Sequence, residues 1–206
     1  TAECLEVRVA VMGGGEGGKP RVTPRAPRAT PRATTSGKCY KSAFLVPVNT
    51  LDVAEPMVLL SVERRRETTK LGLLGGKVKS HDGGALETAV REAEEESAGL
   101  IGRTLDAVER HPPDGTWVER SQAWVFVTGV AHEDRTVDTR WPNGSAVSEV
   151  GSTTTQLGLR WVERSSVLDP DWRRREMHAH AAVMIGHVAR ALARGVGMRA
   201  MGETAE

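Results

Sequence analysis

The sequence predicts an α+β or α/β sandwich built on a mixed sheet. Three observations carry that expectation. Two short apolar runs open the ordered part, SAFLVPVN at Ser42–Asn49 and MVLLSV at 57–62, each bounded by Pro, Asn or Asp. An Ala- and Glu-rich segment with no internal Gly or Pro, Ala85–Ser97, reads as a helix. Two more apolar runs, QAWVFVTGV at 122–130 and LGLRWV at 157–162, then precede a terminal segment of helical periodicity.

Taken in order, residues 13–38 hold GGGEGG and the near-repeat PRAPRATPRATT. Such a stretch cannot bury enough apolar area to offset its ordering entropy, so 1–40 is expected to be disordered. It is Arg-rich and acid-poor, as organellar targeting segments are, but Pro24, Pro27 and Pro31 break any amphipathic helix. Residues 41–195 are expected to form one domain, and 196–206 a flexible tail. After the first two runs, ERRRETTK reads as a charged turn, and LGLLGGKV carries a Gly pair. HPPDGT at 111–116 is a loop, and 131–156 reads as a long one. A final helix is expected over 171–194: Asp169 and Pro170 supply the cap and first-turn proline, Met177, Ala181, Met184, Val188 and Leu192 recur at helical spacing, and Gly195 closes it.

Composition narrows the function. With 206 residues, 39% hydrophobic and 27% charged, the chain has the make-up of a globular domain. A net charge of +1 gives no global electrostatic case for DNA or a membrane surface. The two cysteines, Cys4 and Cys39, sit in or beside the expected disordered segment, so no structural disulfide is expected and an intracellular, cytoplasmic setting is the default.

The chemistry lies in GGKVKSHDGGALETAVREAEEESAGL at 75–100. At about 100° per residue, Glu92, Glu95 and Glu96 share one helix face, while Leu86, Ala89, Val90 and Ala93 form the adjoining apolar one. Glu87 and Glu94 point to solvent. Three carboxylates side by side repel one another unless a cation neutralises them, and magnesium takes such oxygen ligands together with substrate phosphates. The Gly pair lets backbone groups approach the same ion, and Arg91 can steer a carboxylate or phosphate through its planar fork. The plain alternative is an exposed charged helix.

The segment resembles the Nudix box, G-x5-E-x7-R-E-U-x-E-E-x-G-U with U aliphatic. Arg91, Glu92, Glu95 and Glu96 match its R-E and E-E, and Ala93 stands at the U between them. Six residues on from Gly76 stands Asp82, an acid where the box has Glu, and the R-E pair comes one residue late. One extra residue in the loop 77–84 accounts for this. Ala98 stands where the box has glycine, with Gly99 one step late. The surrounding strands and terminal helix extend the likeness over about 41–195, which implies a Nudix-like α/β/α sandwich.

The resemblance implies a Mg2+-dependent hydrolase, with Mn2+ able to substitute, that cleaves a nucleoside diphosphate linked to another moiety. It implies metal binding by Glu92, Glu95, Glu96 and the Gly76 carbonyl, with Arg91 orienting the glutamates. The general base is one of these glutamates or a later carboxylate such as Glu149. Related sequences often carry an acid a few residues before the LRWV-like strand; Gln156 stands near that place, so that role does not transfer. RSQAWVFVTGV and LRWVERSSVL are similar in layout to diphosphoinositol polyphosphate phosphohydrolases. Arg64, Arg65 and Arg66 would then bind a highly phosphorylated substrate, against the plain reading of a solvated turn. Small-molecule diphosphates are the expected partners, with capped RNA also admitted and no DNA. SQAWVFV lacks both prolines of the SQPWPFP signature of NADH-cleaving relatives. Trp117, Trp124 and Trp141 are possible stacking platforms but fit core or loop anchors better. His178 and His180 face different ways and form no metal pair. The competing functional class is a catalytically silent Nudix domain that binds a nucleotide or a protein.

Overall fold

The computed structural model describes residues 39–49, 55–131, 134, 147–148 and 154–193. Among these, the strands are β1 (Ser42–Asn49), β2 (Met57–Arg65), β3 (Thr68–Gly72), β4 (Leu74–Lys77), β5 (Gly115–Val118), β6 (Ala123–Gly129), β7 (Val147–Ser148) and β8 (Thr154–Glu163). The helices are α1 (Ala85–Ser97), α2 (Gly102–Arg110), α3 (Arg164–Leu168), α4 (Pro170–Glu176) and α5 (Ala179–Ala193). The strands form one mixed sheet in the order β5-β6-β1-β2-β8-β7, with β3 on β2 and β4 on β1.

One departure from simple pairing makes room for the site. β1 runs parallel to β6 along Ser42–Val48 but meets β2 only at Val48↔Val58 and Asn49↔Met57. Beyond that contact the two strands part: β3 continues along β2, and β4 lies antiparallel to the first half of β1. The Gly75-Gly76 pair therefore lies within β4, opposite Phe44 and Ala43 of β1.

Every residue of β1 is buried, as a central strand covered on both faces requires. Its alternation divides two cores. Phe44, Val46 and Val48 pack with Val125, Val127 and the α5 residues Met184, Ile185 and Val188. Ala43 and Leu45 pack with Trp124, Phe126 and the α1 residues Ala89, Val90 and Ala93. The result is a helix/sheet/helix sandwich. On α1, Ala85, Ala89 and Ala93 are 1%, 0% and 0% exposed, and their small side chains bring the helix axis close to β1 and β4.

The structure corrects the sequence expectation at several places. The terminal helix is not continuous: α4 and α5 are separated at Met177 and His178. Met177 forms a parallel bridge with Leu71, and the His178 amide donates to the Leu71 carbonyl at 2.9 Å. Sheet-edge hydrogen bonds outcompete helix continuity there, while Met177 stays buried. The Asp169 cap is present, its Oδ1 accepting from the Asp171 amide at 2.8 Å. ERRRETTK is a strand hairpin, with Arg66 at φ 55 in its turn. Helix α2, the short α3 and strand β5 lie where no element was expected, and β8 begins at Thr154 inside the expected long loop. Cys39 is disulfide-bonded, where no structural disulfide was expected; Cys4 lies outside the described residues. Among the described residues no helix is long and apolar enough to cross a membrane. Most of 1–40, and all of 196–206, lie outside the described residues.

Candidate active site

The site begins with the loop that delivers α1. Asp82, its side chain only 1% exposed, accepts from the Lys79 amide at 2.8 Å and from the Thr88 hydroxyl at 2.8 Å. It also takes both prongs of Arg91, Nε to Oδ1 at 2.8 Å and Nη2 to Oδ2 at 2.9 Å. A carboxylate with both oxygens committed in this way fixes the loop and the first turn of α1 as one piece. Arg91 holds the Asp82 carboxyl well below the usual carboxylate range, and Asp82 in turn raises the guanidinium further. The extra loop residue inferred from the spacing is thus accommodated without losing the acid that meets Arg91.

Arg91 spends its remaining donors on the motif itself. Its Nη1 reaches Glu92 Oε1 at 2.5 Å and Glu95 Oε1 at 3.3 Å, and its Nη2 reaches the Lys77 carbonyl at 3.2 Å. Glu92 is buried, Glu95 is exposed, and the Lys79 ammonium lies 3.2 Å from Glu95 and 3.8 Å from Glu92. Glu96 points toward the sheet: its Oε2 accepts from the Gly75 amide at 2.8 Å and its Oε1 from Gln156 Nε2 at 2.9 Å.

Two glycines make this approach possible. Gly75 has φ +148, and a Cβ there would run into the Ala43 carbonyl and the Phe44 backbone. A Cβ on Gly76 would occupy the position of the Glu92 carboxylate. No other residue lets Glu92 and Glu96 lie against this part of β4.

Burial pushes the Glu92 carboxyl up, against the lowering effect of Arg91. Burial pushes Glu96 up much further, and the neighbouring charges of Glu63 and Glu92 add to it. These are carboxylates whose charge is held at a cost, a feature common at functional sites.

Glu63, which the sequence reading passed over, lies at 3% exposure on β2. Its carboxylate covers Gly72, accepts from Ser61 Oγ at 2.9 Å, and pairs with Arg65 at 2.7 and 3.0 Å. Extending the in–out alternation of MVLLSV by one more inward step would have found it. All three arginines of the hairpin are exposed, and Arg65 is in addition paired with Glu63. Gln156 stands opposite Glu63 on β8, so the sheet register brings it to Glu96.

Among the described residues no three His, Cys, Asp or Glu side chains already converge as a cation cluster. The donors nevertheless fit a hard divalent cation. Glu92, Glu95, Glu96 and the carbonyl of Gly76 all offer oxygen donors, and the buried Gln156 Oε1 beside Glu96 has no hydrogen-bond partner among the described residues.

The remaining expectations fall elsewhere. Trp124 is 9% exposed in the α1-side core, with Trp117 at 5.5 Å from it and Phe126 stacked at 6.3 Å. Trp117 also donates to Glu119. His178 lies 3.4 Å from the Glu63 carbonyl, and His180 sits edge-on to Phe44 at 5.8 Å; burial lowers both pKa values. Trp141 and Glu149 lie outside the described residues.

A family model described as NUDIX domain matches residues 42–181. Among solved structures, the chain is similar to a Nudix hydrolase from M. smegmatis, RenU, at 16% identity and TM-score 0.45, covering 78% of this chain and 90% of that one. It is also similar to the NUDIX domain of Shewanella oneidensis NrtR complexed with ADP ribose, at 14% identity and TM-score 0.42, covering 80% and 94%. A third is Shewanella oneidensis NrtR complexed with a 27mer DNA, at 13% identity and TM-score 0.41, covering 75% and 62%. No curated protein matches the chain.

Proposed function

The chain belongs to the Nudix family, and we propose that it is a Mg2+- or Mn2+-dependent hydrolase that cleaves a diphosphate linkage. The substrate class is a nucleoside diphosphate joined to another moiety, or a related diphosphate such as a diphosphoinositol polyphosphate. One observation carries the reading: a helix that presents Glu92, Glu95 and Glu96 is locked by Asp82–Arg91, with Glu92 and Glu96 lying against the glycine pair of β4.

The residues divide the work. Glu92, Glu95, Glu96 and the Gly76 carbonyl hold the ion. Arg91 orients Glu92 and Glu95 and is itself held by Asp82. The Gly75 amide and Gln156 aim Glu96. The bound cation supplies charge neutralisation at the bridging phosphates and a water of lowered pKa. The general base is assigned to the α1 glutamates, of which Glu92 and Glu96 are pushed up by burial. Arg64, Arg65 and Arg66, exposed on the hairpin, are assigned to further substrate phosphates, with Arg65 also paired to Glu63.

A second reading, a silent Nudix domain that binds a nucleotide or a protein, is favoured by the ion pairs that Lys79 makes with Glu92 and Glu95. A screen decides between them: dinucleotides, nucleotide sugars, nucleoside triphosphates, capped RNA and inositol pyrophosphates, each with Mg2+ and with excess chelator. The hydrolase reading expects turnover of one class that stops in chelator. Absence of turnover throughout, or full turnover in chelator, contradicts it.

A further inference from the structure

We propose that Gln156 gives its side-chain carbonyl oxygen to the divalent cation at the α1 carboxylates, as a neutral ligand contributed by β8. The inference rests on the metal-dependent reading above and adds to it a residue outside the motif.

Gln156 is only 6% exposed and stands opposite Glu63 where β2 and β8 shift register. Its Nε2 donates to Glu96 Oε1 at 2.9 Å, while Glu96 Oε2 accepts from the Gly75 amide at 2.8 Å. A carboxylate that accepts at both oxygens decides which way round the amide lies: the NH2 end faces Glu96 and the carbonyl end is left over. That carbonyl oxygen is buried and has no hydrogen-bond partner among the described residues. Buried acceptors are rarely left so.

The two ends of an amide share one carbon, so the orphan oxygen lies at the edge of the Glu96 carboxylate. It is therefore beside an atom assigned to the ion. Hard divalent cations take amide carbonyl oxygens as readily as carboxylates. The choice of Gln over an acid also follows from the surroundings. Glu63 stands opposite on β2 and Glu92 one turn along α1, and another negative charge here would add to their repulsion of Glu96. A neutral oxygen adds a ligand without that repulsion, and its NH2 group aims Glu96 at the same time.

The chain contains two glutamines, Gln156 and the exposed Gln122, which makes the test direct. The full chain, labelled with 13C at the glutamine side-chain carbonyl, is titrated with Mg2+. The Gln156 signal should move to a new position with the same saturation curve as the heat of binding, and the Gln122 signal should stay still. Mn2+ affinity is then read from the loss of the free-ion spin-resonance signal. Gln156→Leu should weaken it about tenfold or more, as loss of a partner of a metal site does. Gln156→Glu, which keeps an oxygen but loses the NH2 group, should match the parent or bind more tightly. Melting temperatures without metal confirm that both variants fold.

An unmoved Gln156 signal in a chain that binds Mg2+, or loss of Mn2+ affinity in Gln156→Glu as well, overturns the ligand role and leaves only the aiming of Glu96. If the parent chain binds neither ion, the metal-dependent reading fails first and takes this inference with it.

Discussion

Asp82 and Arg91 meet through two parallel hydrogen bonds, Nε–Oδ1 at 2.8 Å and Nη2–Oδ2 at 2.9 Å, and this pair couples the loop before α1 to the glutamates on it. The same guanidinium reaches Glu92 and Glu95, so an acid in the loop governs the position of carboxylates a helix turn and more away. Asp82 is a positioning residue: it touches the orienting arginine and none of the assigned ion ligands.

Breaking this pair should cost both stability and order. With Asp82 1% exposed and Arg91 16%, Asp82→Ala leaves a largely buried guanidinium without its main partner, which costs about 3 kcal/mol. The pair also has a pH signature. The Asp82 pKa is depressed in the folded chain, so its contribution is complete above the ordinary carboxylate range and fades as pH falls below it. Denaturant midpoints from pH 7 to pH 3 should fall more steeply in the parent than in Asp82→Asn. Parallel curves would mean that the pair does not stabilise the fold.

Glu96 has the opposite sign. Its folded pKa is raised, so the folded chain keeps a proton that the unfolded chain gives up, and metal-free stability declines as pH climbs through the interval between the two values. The slope from one such group is at most about 1.4 kcal/mol per pH unit. In chelator, Glu96→Gln should gain on the parent in melting temperature as pH rises from 4 to 7. A difference that stays constant over this range contradicts a half-buried, charge-crowded Glu96.

Ala98 closes α1 at φ 51, in the left-handed region, at the position where the motif has glycine. An L-residue there costs about 1–2 kcal/mol, and a glycine is free of the clash. Ala98→Gly should therefore stabilise the chain by roughly 1 kcal/mol after its own entropy cost, with turnover unchanged. Measured unfolding free energies decide it, and a loss of stability would show that Ala98 makes packing contacts that outweigh the strain.

Residues 1–40 are proposed to be dispensable, because PRAPRATPRATT offers nothing to a core and β1 starts at Ser42. A chain beginning at Gly37 should keep the parent melting temperature and turnover. A large fall in either would assign the segment to the domain or to the substrate.

How far the sequence discloses this arrangement depends on how local each cause is. Ser42–Asn49 is legible to the residue because a strand buried on both faces must be apolar throughout. Ala85–Ser97 is legible because helix formers, an alanine stripe and the carboxylate spacing agree. Helix α2 is hidden by its cap: the buried Asp134, thirty positions on, accepts from the Thr104 amide at 2.6 Å, a partnership no local pattern reveals. The end of β2 is disguised by ERR, since Glu63 faces inward only because Arg65 and Ser61 satisfy it. The split between α4 and α5 reflects the sheet edge at Leu71, and the period of the apolar residues runs straight through it. The contact between Gln156 and Glu96 needs the β2–β8 register, which exists only in the folded sheet.

If the α1 carboxylates hold a catalytic ion, charge-removing substitutions on that one helix must abolish most of the rate. With a substrate identified by the screen, kcat in saturating Mg2+ is measured for Glu95→Gln, Glu96→Gln and Glu94→Gln. Glu94 is exposed on the same helix and has no assigned role, so it is the internal control. Glu95→Gln and Glu96→Gln should lower kcat about a hundredfold or more, as loss of a main electrostatic stabiliser does, and Glu94→Gln should leave it near the parent value. Equal rates in all three variants would make α1 a solvated charged helix and contradict the account.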